Sequence, residues 1–285
     1  MTNVSLILEG GGMRGLYTAG VLDCFLDHGI AFPAIYAVSA GACHACSYLS
    51  GQRGRAARTV LDYRGDRRYG SLYSLLTTGD YIGAKFTYDQ VPNHLLPFDY
   101  DAFRANETTL YAVLTSCKTG KPVYRAVRDL KTDMPLIQAS SSLPLLSRMV
   151  QIGGESYLDG GISDSIPLSQ AKADGCGRHV VILTQHDGYT KGPNRLLPLI
   201  KLRYRGYPAL VEQIGRRHAH YNAALSQIRR DQAAGTVFVI RPKTPVSIGR
   251  LEKDTEKLKS LYEAGYADTQ EAMDNLRTFL EAPQT

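Results

Sequence analysis

The sequence predicts an α/β domain on a mainly parallel sheet. Three observations carry this. Short apolar runs closed by glycine or proline recur along the chain, stretches with apolar residues at 3,4 spacing separate them, and no repeat or low-complexity linker breaks the alternation. The 285 residues, 44% hydrophobic and 21% charged, suffice for one large core, so a single domain over 1–285 is expected.

Taken in order, VSLILE (4–9) reads as a buried strand ended by glycines. Leu16, Val21, Leu22, Phe25 and Leu26 then keep helical spacing up to Gly29, where the helix stops. AIYAVS (34–39) is a second strand, followed by the small-residue helix GACHACSYLSG. Together they form a βαβ unit with parallel strands and a right-handed crossover. Arg53 to Arg68 is basic and helical in part, and Asp80 to Tyr100 reads as irregular chain; neither carries a motif. TTLYAVLTSC and PVYRAV flank a tight glycine turn, and DMPLIQASSSLPLLS holds a short helix stopped by Pro144. RMVQIGGESYLDGG is a hairpin turning at Gly153-Gly154, and HVVILTQ (179–185) and TVFVIRP (236–242) are the last strands. Amphipathic helices are expected over 206–232, from Leu210, Ile214, His218, Tyr221, Leu225 and Ile228, and over 254–281.

The net charge is +6, and Lys201 to Arg230 alone carries seven basic residues against Glu212. A solvated helix face is the plain reading of that run. The functional reading is a rim near the site in peripheral contact with an anionic membrane surface; a nucleic-acid partner is not expected. No window reaches the ~18 apolar residues of a membrane span, and the N-terminus lacks the pattern of a secretory signal. Five cysteines at 24, 43, 46, 117 and 176 are odd in number and sparse, which suits a reducing cytoplasm.

Gly10-x-Gly12-x-x-Gly15, between a strand and a helix, satisfies the dinucleotide-binding pattern. A nucleotide site would also need an acid at the end of the second strand to hold the ribose. That strand ends instead in Ala37-Val38-Ser39-Ala40-Gly41, a serine among small residues that resembles a nucleophile elbow, with Ala37 in place of the usual first glycine. Parallel strands of one βαβ unit end on the same edge, so the glycine turn and Ser39 should be neighbours. Backbone N–H groups at such a turn can then serve a developing oxyanion as readily as a phosphate. Asp159-Gly160-Gly161 supplies a candidate base, although Asp-Gly-Gly alone is ordinary turn chemistry.

Two rivals stand beside this reading. Histidines 179, 186, 218 and 220 follow Asp159, so a Ser-Asp-His triad is arithmetically open, with His186 the best placed. His218 falls on an apolar stripe, which suggests a buried structural imidazole, and His220 on a polar one. Cys43-His44-Ala45-Cys46 invites a zinc or redox reading, but no two further ligands lie nearby, and buried inert thiols are expected. Arg14 reads equally as a solvated or ion-paired helix residue and as a functional one.

The glycine turn Gly10 to Gly15, the serine elbow about 25 residues later and Asp159-Gly160-Gly161, in that order, resemble the patatin-like phospholipase family. Ala139-Ser140-Ser141-Ser142-Leu143-Pro144 is similar to that family's helix-and-proline segment, and the motif resemblance spans roughly 5–170. Leu261 to Tyr266 adds a less specific match. The resemblance implies a three-layer α/β/α domain of patatin-like fold. It implies a Ser-Asp dyad, Ser39 as nucleophile and Asp159 as general base, hydrolysing lipid acyl esters through an acyl-enzyme without metal or cofactor. It further implies oxyanion donors at the glycine turn, Gly11 and Gly12 foremost, within a group of Gly10, Gly11, Gly12, Arg14, Gly15 and Ala40. A nucleotide-binding protein and a non-catalytic lipid-surface module are the competing functions.

Overall fold

The computed structural model describes residues 4–282. Residues 1–3 and 283–285, which include the start of the stretch read for a secretory signal and both ends of the expected 1–285 domain, lie outside it.

The chain opens as expected, with β1 (Val4–Leu8), a short turn of helix at Gly12–Arg14, α1 (Gly15–Asp27), β2 (Ala34–Val38) and α2 (Ala40–Leu49). Helices α3 (Arg55–Leu61), α4 (Leu72–Thr78) and α5 (Tyr100–Ala105) follow, then β3 (Thr109–Ser116), β4 (Pro122–Val127), α6 (Leu130–Ser140), β5 (Val150–Ile152) and β6 (Glu155–Asp159). The last part comprises α7 (Leu168–Ala173), β7 (Arg178–Ile182), α8 (Leu197–Arg203), α9 (Pro208–Ala233), β8 (Val237–Ile240) and α10 (Thr255–Glu281).

The strands form one sheet in the order β5-β6-β3-β2-β1-β7-β8, with β4 also on β3. Strands β3, β2, β1, β7 and β8 run parallel, β4 and β6 pair antiparallel with β3, and β5 pairs antiparallel with β6. The central strand β1 is buried along its length because helices cover both faces, which is why it reads as a continuous apolar run. Val4, Leu6 and Leu8 join the core under α1, α2, α6 and α10. Ile7 points the other way, with Tyr36 and Val181, against Leu168 of α7 and Tyr221 and Ile228 of α9. The result is the expected three-layer α/β/α arrangement.

On the first face α1 and α10 meet backbone to backbone. A Cβ on Gly20 would stand 2.0 Å from the Tyr262 carbonyl oxygen, and one on Gly265 2.1 Å from that of Tyr17, so only glycine permits this approach. The Tyr17 hydroxyl ties the pair by donating to Asp268 Oδ2 at 2.9 Å.

Two expectations change. The strand foreseen over 179–185 stops at Ile182, since Thr184 N–H leaves the ladder for Glu9 Oε2 at 2.6 Å. The segment 80–100 is not wholly irregular: Phe86–Leu95 winds into a wide π-helical segment that carries Pro92. Proline and polar neighbours hide its helical character in the sequence, yet Phe86, Val91 and Pro92 are buried. No helix among the described residues is long and apolar enough to cross a membrane.

Candidate active site

The register of β3 brings two distant loops together. Val113 pairs with Tyr124 of β4 and with Val38 of β2; the next residue, Leu114, pairs with Val123 of β4 and with Asp159 of β6. Since β4 occupies one edge of β3 along this stretch, β2 and β6 must share the other. They approach it from opposite directions and meet end to end, one register step apart. Ser39 follows β2 directly, and Asp159 closes β6.

Ser39 has φ 56° and ψ −124°, a backbone conformation that L residues seldom adopt and that costs about 1–3 kcal/mol. Small neighbours make the sharp turn possible. A Cβ on Gly41 would lie 2.9 Å from Glu9 O, and one on Gly10 would lie 3.1 Å from Ser39 Cβ. Ala37 sits in the sheet between Leu8 and Ala112, a small residue beside a small residue. The strained amide is satisfied by Ser140: Ser39 N–H donates to Ser140 Oγ at 2.9 Å, and that hydroxyl donates to Val113 O at 2.7 Å. The serine-rich segment before Pro144 therefore braces the elbow. Sequence spacing does not reveal this role.

Asp159 is held as firmly. Its N–H donates to Ser142 O and its carbonyl accepts from Thr115 Oγ1, both at 2.8 Å. Gly160 allows the approach, because a Cβ there would fall 2.0 Å from Val113 O. Carboxylate Oδ1 accepts from Gly161 N–H at 2.7 Å. The Ser39 hydroxyl also acts on this carboxylate as a hydrogen-bonding neighbour. Oδ2 nevertheless remains buried with no bond of full hydrogen-bond geometry among the described residues. Burial raises the Asp159 pKa; Arg217, the Ser39 hydroxyl, Gly161 N–H and Arg250 pull it back without cancelling the rise.

The six expected oxyanion residues separate. Gly12, with φ +58°, and Ala40 line the same cavity as Ser39, and Gly10 backs directly onto the serine. Gly11 packs on Thr184. Among the described residues the N–H groups of Gly10, Gly11, Gly12 and Ala40 enter no hydrogen bond, whereas Met13 N–H donates to Arg250 O at 3.2 Å. Gly15 is corrected: its N–H goes to Gly12 O, and its missing side chain makes room for Ala40 and His44. Arg14 is buried rather than solvated, with Glu9 as its neighbouring anion, and desolvation lowers its pKa.

The cavity at Ser39 measures about 160 Å³ and is walled largely by apolar side chains, among them Leu16, Val60, Val91, Phe98, Met134 and Ile137. Much of this wall comes from the stretch between α2 and β3, which carries no sequence motif.

The rivals lie elsewhere. His179 is buried in β7, bonded to Ser5 Oγ at 2.8 Å, and burial pushes it down to about 4. His186 stacks edge-on against Tyr189, and His220 faces Gln213. His218 is only half-buried, not a core imidazole, because its ring turns back to Gly215 O at the margin of a second cleft. None of them hydrogen-bonds Ser39 or Asp159 among the described residues. In the Cys43-to-Cys46 motif, Cys43 Sγ faces Ser141 Oγ and Cys46 Sγ donates to Ala42 O, so the thiols diverge. Burial raises both thiol pKa values and pushes His44 down to about 4. Among the described residues no group of three or more His, Cys, Asp or Glu is arranged to hold a metal ion.

Fold and site define an α/β protein that presents a serine at a strand-to-helix elbow beside a buried carboxylate. The family model described as patatin-like phospholipase matches residues 6–172, more than half of the chain, and the chain belongs to that family. A second model, a domain of unknown function (DUF6363), matches residues 207–281. The uncharacterized protein YjjU of Escherichia coli (strain K12) is 30% identical over 185 residues, 64% of this chain and 52% of that protein. Lysophospholipase NTE1 of Eremothecium gossypii is 23% identical over 177 residues, 61% of this chain and 11% of that one. The chain thus spans about half the length of the first relative and about a tenth of the second. The crystal structure of VipD from Legionella pneumophila aligns with a TM-score of 0.47 at 12% identity, over 95% of this chain and 67% of that chain.

The raised pKa of Asp159 carries a stability consequence. A carboxyl whose folded pKa lies above its unfolded value favours folding when protonated, and that contribution is lost as pH rises through the folded pKa. At neutral pH the ionised group therefore opposes folding. Asp159→Asn should raise the thermal midpoint at pH 7, and the gain should shrink as pH falls through the raised folded pKa and vanish below the ordinary carboxylate range, as followed by calorimetry.

Proposed function

We propose that the protein is a serine acyl hydrolase acting on lipid esters through a Ser39–Asp159 dyad. The observation that carries this is the end-to-end meeting of β2 and β6, which sets a strained serine against a buried carboxylate. Ser39 Oγ attacks the ester carbonyl carbon as its proton passes to Asp159, and the alcohol leaves with that proton. Water then attacks the acyl-enzyme, gives its proton to Asp159, and the acid departs as Ser39 Oγ regains it. The N–H groups of Gly11, Gly12 and Ala40, with Gly10 behind the serine, are the oxyanion donors in this reading; each is worth ~10²–10³ in rate. A carboxylate with a raised pKa suits a proton acceptor, and a loose hydroxyl contact is ordinary before substrate arrives.

The nucleotide reading is weaker. The backbone of Arg250 closes over the glycine turn, so close that a Cβ on Gly12 would lie 2.8 Å from its carbonyl oxygen.

Ser39→Ala should abolish both ester hydrolysis and fluorophosphonate labelling, and Asp159→Asn should cost at least ~10³-fold in kcat. Label on another serine, or full activity of either variant, rules the dyad out. Arg217→Ala removes a charge that lowers the Asp159 pKa, so the acid limb of the kcat/KM profile should move to higher pH.

The cavity supports a limit on the acyl group. An apolar cavity of ~150 Å³ holds a benzene molecule, so about six carbons fill the space at Ser39. With p-nitrophenyl esters, kcat/KM should rise roughly fourfold per methylene, from ~0.8 kcal/mol each, and level off near that length.

Contact with an anionic membrane surface moves from the basic run as a whole to α8. Arg217 turns inward and Arg216 pairs with Glu212, whereas Leu196, Leu199 and Leu202 are 57%, 51% and 70% exposed beside Lys201, Arg203 and Arg205. Leu199→Ser combined with Leu202→Ser should weaken sedimentation with anionic vesicles severalfold; unchanged binding removes α8 from the contact.

A further inference from the structure

A second cleft, of about 310 Å³, opens beside the dyad. Its walls bring together Lys191, Arg195, Arg217 and Arg250, with Tyr189 and His218. Two contacts tie this cleft to the reacting groups. Arg250 borders both cavities, and Arg217 Nε donates to the carbonyl of Gly161, whose N–H holds Asp159.

Among the described residues the cations here lack carboxylate partners. Among the described residues, Lys191, Arg195, Arg217 and Arg250 form no ion pair with any carboxylate within 4.0 Å. Glu9, the buried acid nearby, has its oxygens committed to Tyr221 OH at 2.8 Å and Thr184 N–H at 2.6 Å. Lys191 Nζ rests over the Tyr221 ring, 4.0 Å from its centroid, with Tyr189 at 5.6 Å. Its backbone is clamped by Asn222, which accepts from Lys191 N–H at 2.9 Å and donates to Lys191 O at 3.0 Å. Desolvation and the neighbouring guanidiniums push Lys191 down to about 7, and burial with Arg250 pushes Arg217 down to about 10. Cations crowded into a half-buried cleft, with Asp159 and Glu9 acting on them only from beyond ion-pair contact, lose free energy that a bound anion restores.

We propose that this cleft is a phosphate subsite, in which Lys191, Arg217 and Arg250 hold the phosphate of the ester's head group while its acyl chain enters the apolar cavity at Ser39. The head-group role rests on the hydrolase reading. Charge selection would thereby come from residues outside the segment matched by the patatin model, two of them from within the 207–281 match. Free phosphate presents the same oxygens, so the test must separate the two sources.

The full chain is assayed on two esters of equal acyl length, a lysoglycerophospholipid and a neutral p-nitrophenyl ester, with inorganic phosphate as probe. Lys191→Ala and Arg250→Ala should each lower kcat/KM for the phosphate-bearing ester at least tenfold more than for the neutral one, chiefly through KM. Arg277→Ala, which removes an exposed cation on α10, should change neither. Inorganic phosphate should compete with the phospholipid ester in the wild type and lose that competition in both cleft variants. Equal losses on the two esters overturn the proposal. Phosphate binding that Lys191→Ala abolishes, without preference for the phosphate-bearing ester, assigns the cleft to free phosphate and overturns the head-group role. If no ester is turned over, the hydrolase reading fails. Calorimetric titration with phosphate then decides the cleft separately: binding lost in Lys191→Ala sustains an anion site, and no wild-type binding removes it.

Discussion

Everything about the candidate site depends on the length of β3. Because it runs past the end of β2, its free edge has room for a second strand, and β6 takes that room from the opposite direction. Two chain segments 120 residues apart are thereby fixed to the same backbone by ladder hydrogen bonds. Strands hold side chains more exactly than loops, which suits the proton exchange proposed for this pair. Ser140 and Thr115 extend the scaffold by tying the serine's amide and the aspartate's carbonyl to that framework.

The cost of the arrangement is electrostatic. Asp159 is buried with one carboxylate oxygen unpaired among the described residues, and the opposing charges of Arg217 and Arg250 only partly compensate. Among the described residues those guanidiniums form no ion pair within 4.0 Å, so the charges of the region are only loosely balanced. Such a site is expected where binding or catalysis is favoured over stability.

The sheet was largely legible because its strands announce themselves as apolar runs closed by glycine, and the long helices because their stripes persist for many turns. Gly10 to Gly15, Ser39 and Asp159 were legible for another reason: tight turns and close backbone approaches demand small residues at fixed offsets. What escaped was written without periodicity. Phe86 to Leu95 buries single residues in a wide helix around a proline, and α8 is too short to show a stripe. The inward course of Arg217 was also hidden. Nothing local distinguishes it from Arg216, and only packing of α9 against Gly161 decides which of the two meets solvent.

The glycine-mediated contact between α1 and α10 has a consequence for synthesis. Tyr17 and Asp268 are 251 positions apart, and the surface of α1 that receives α10 is synthesised long before α10 itself. At about 5–20 residues per second, translation leaves that surface uncovered for on the order of ten to fifty seconds. The nascent chain thus carries α1 without its mate until α10 has been made, and holdase chaperones have that interval in which to act.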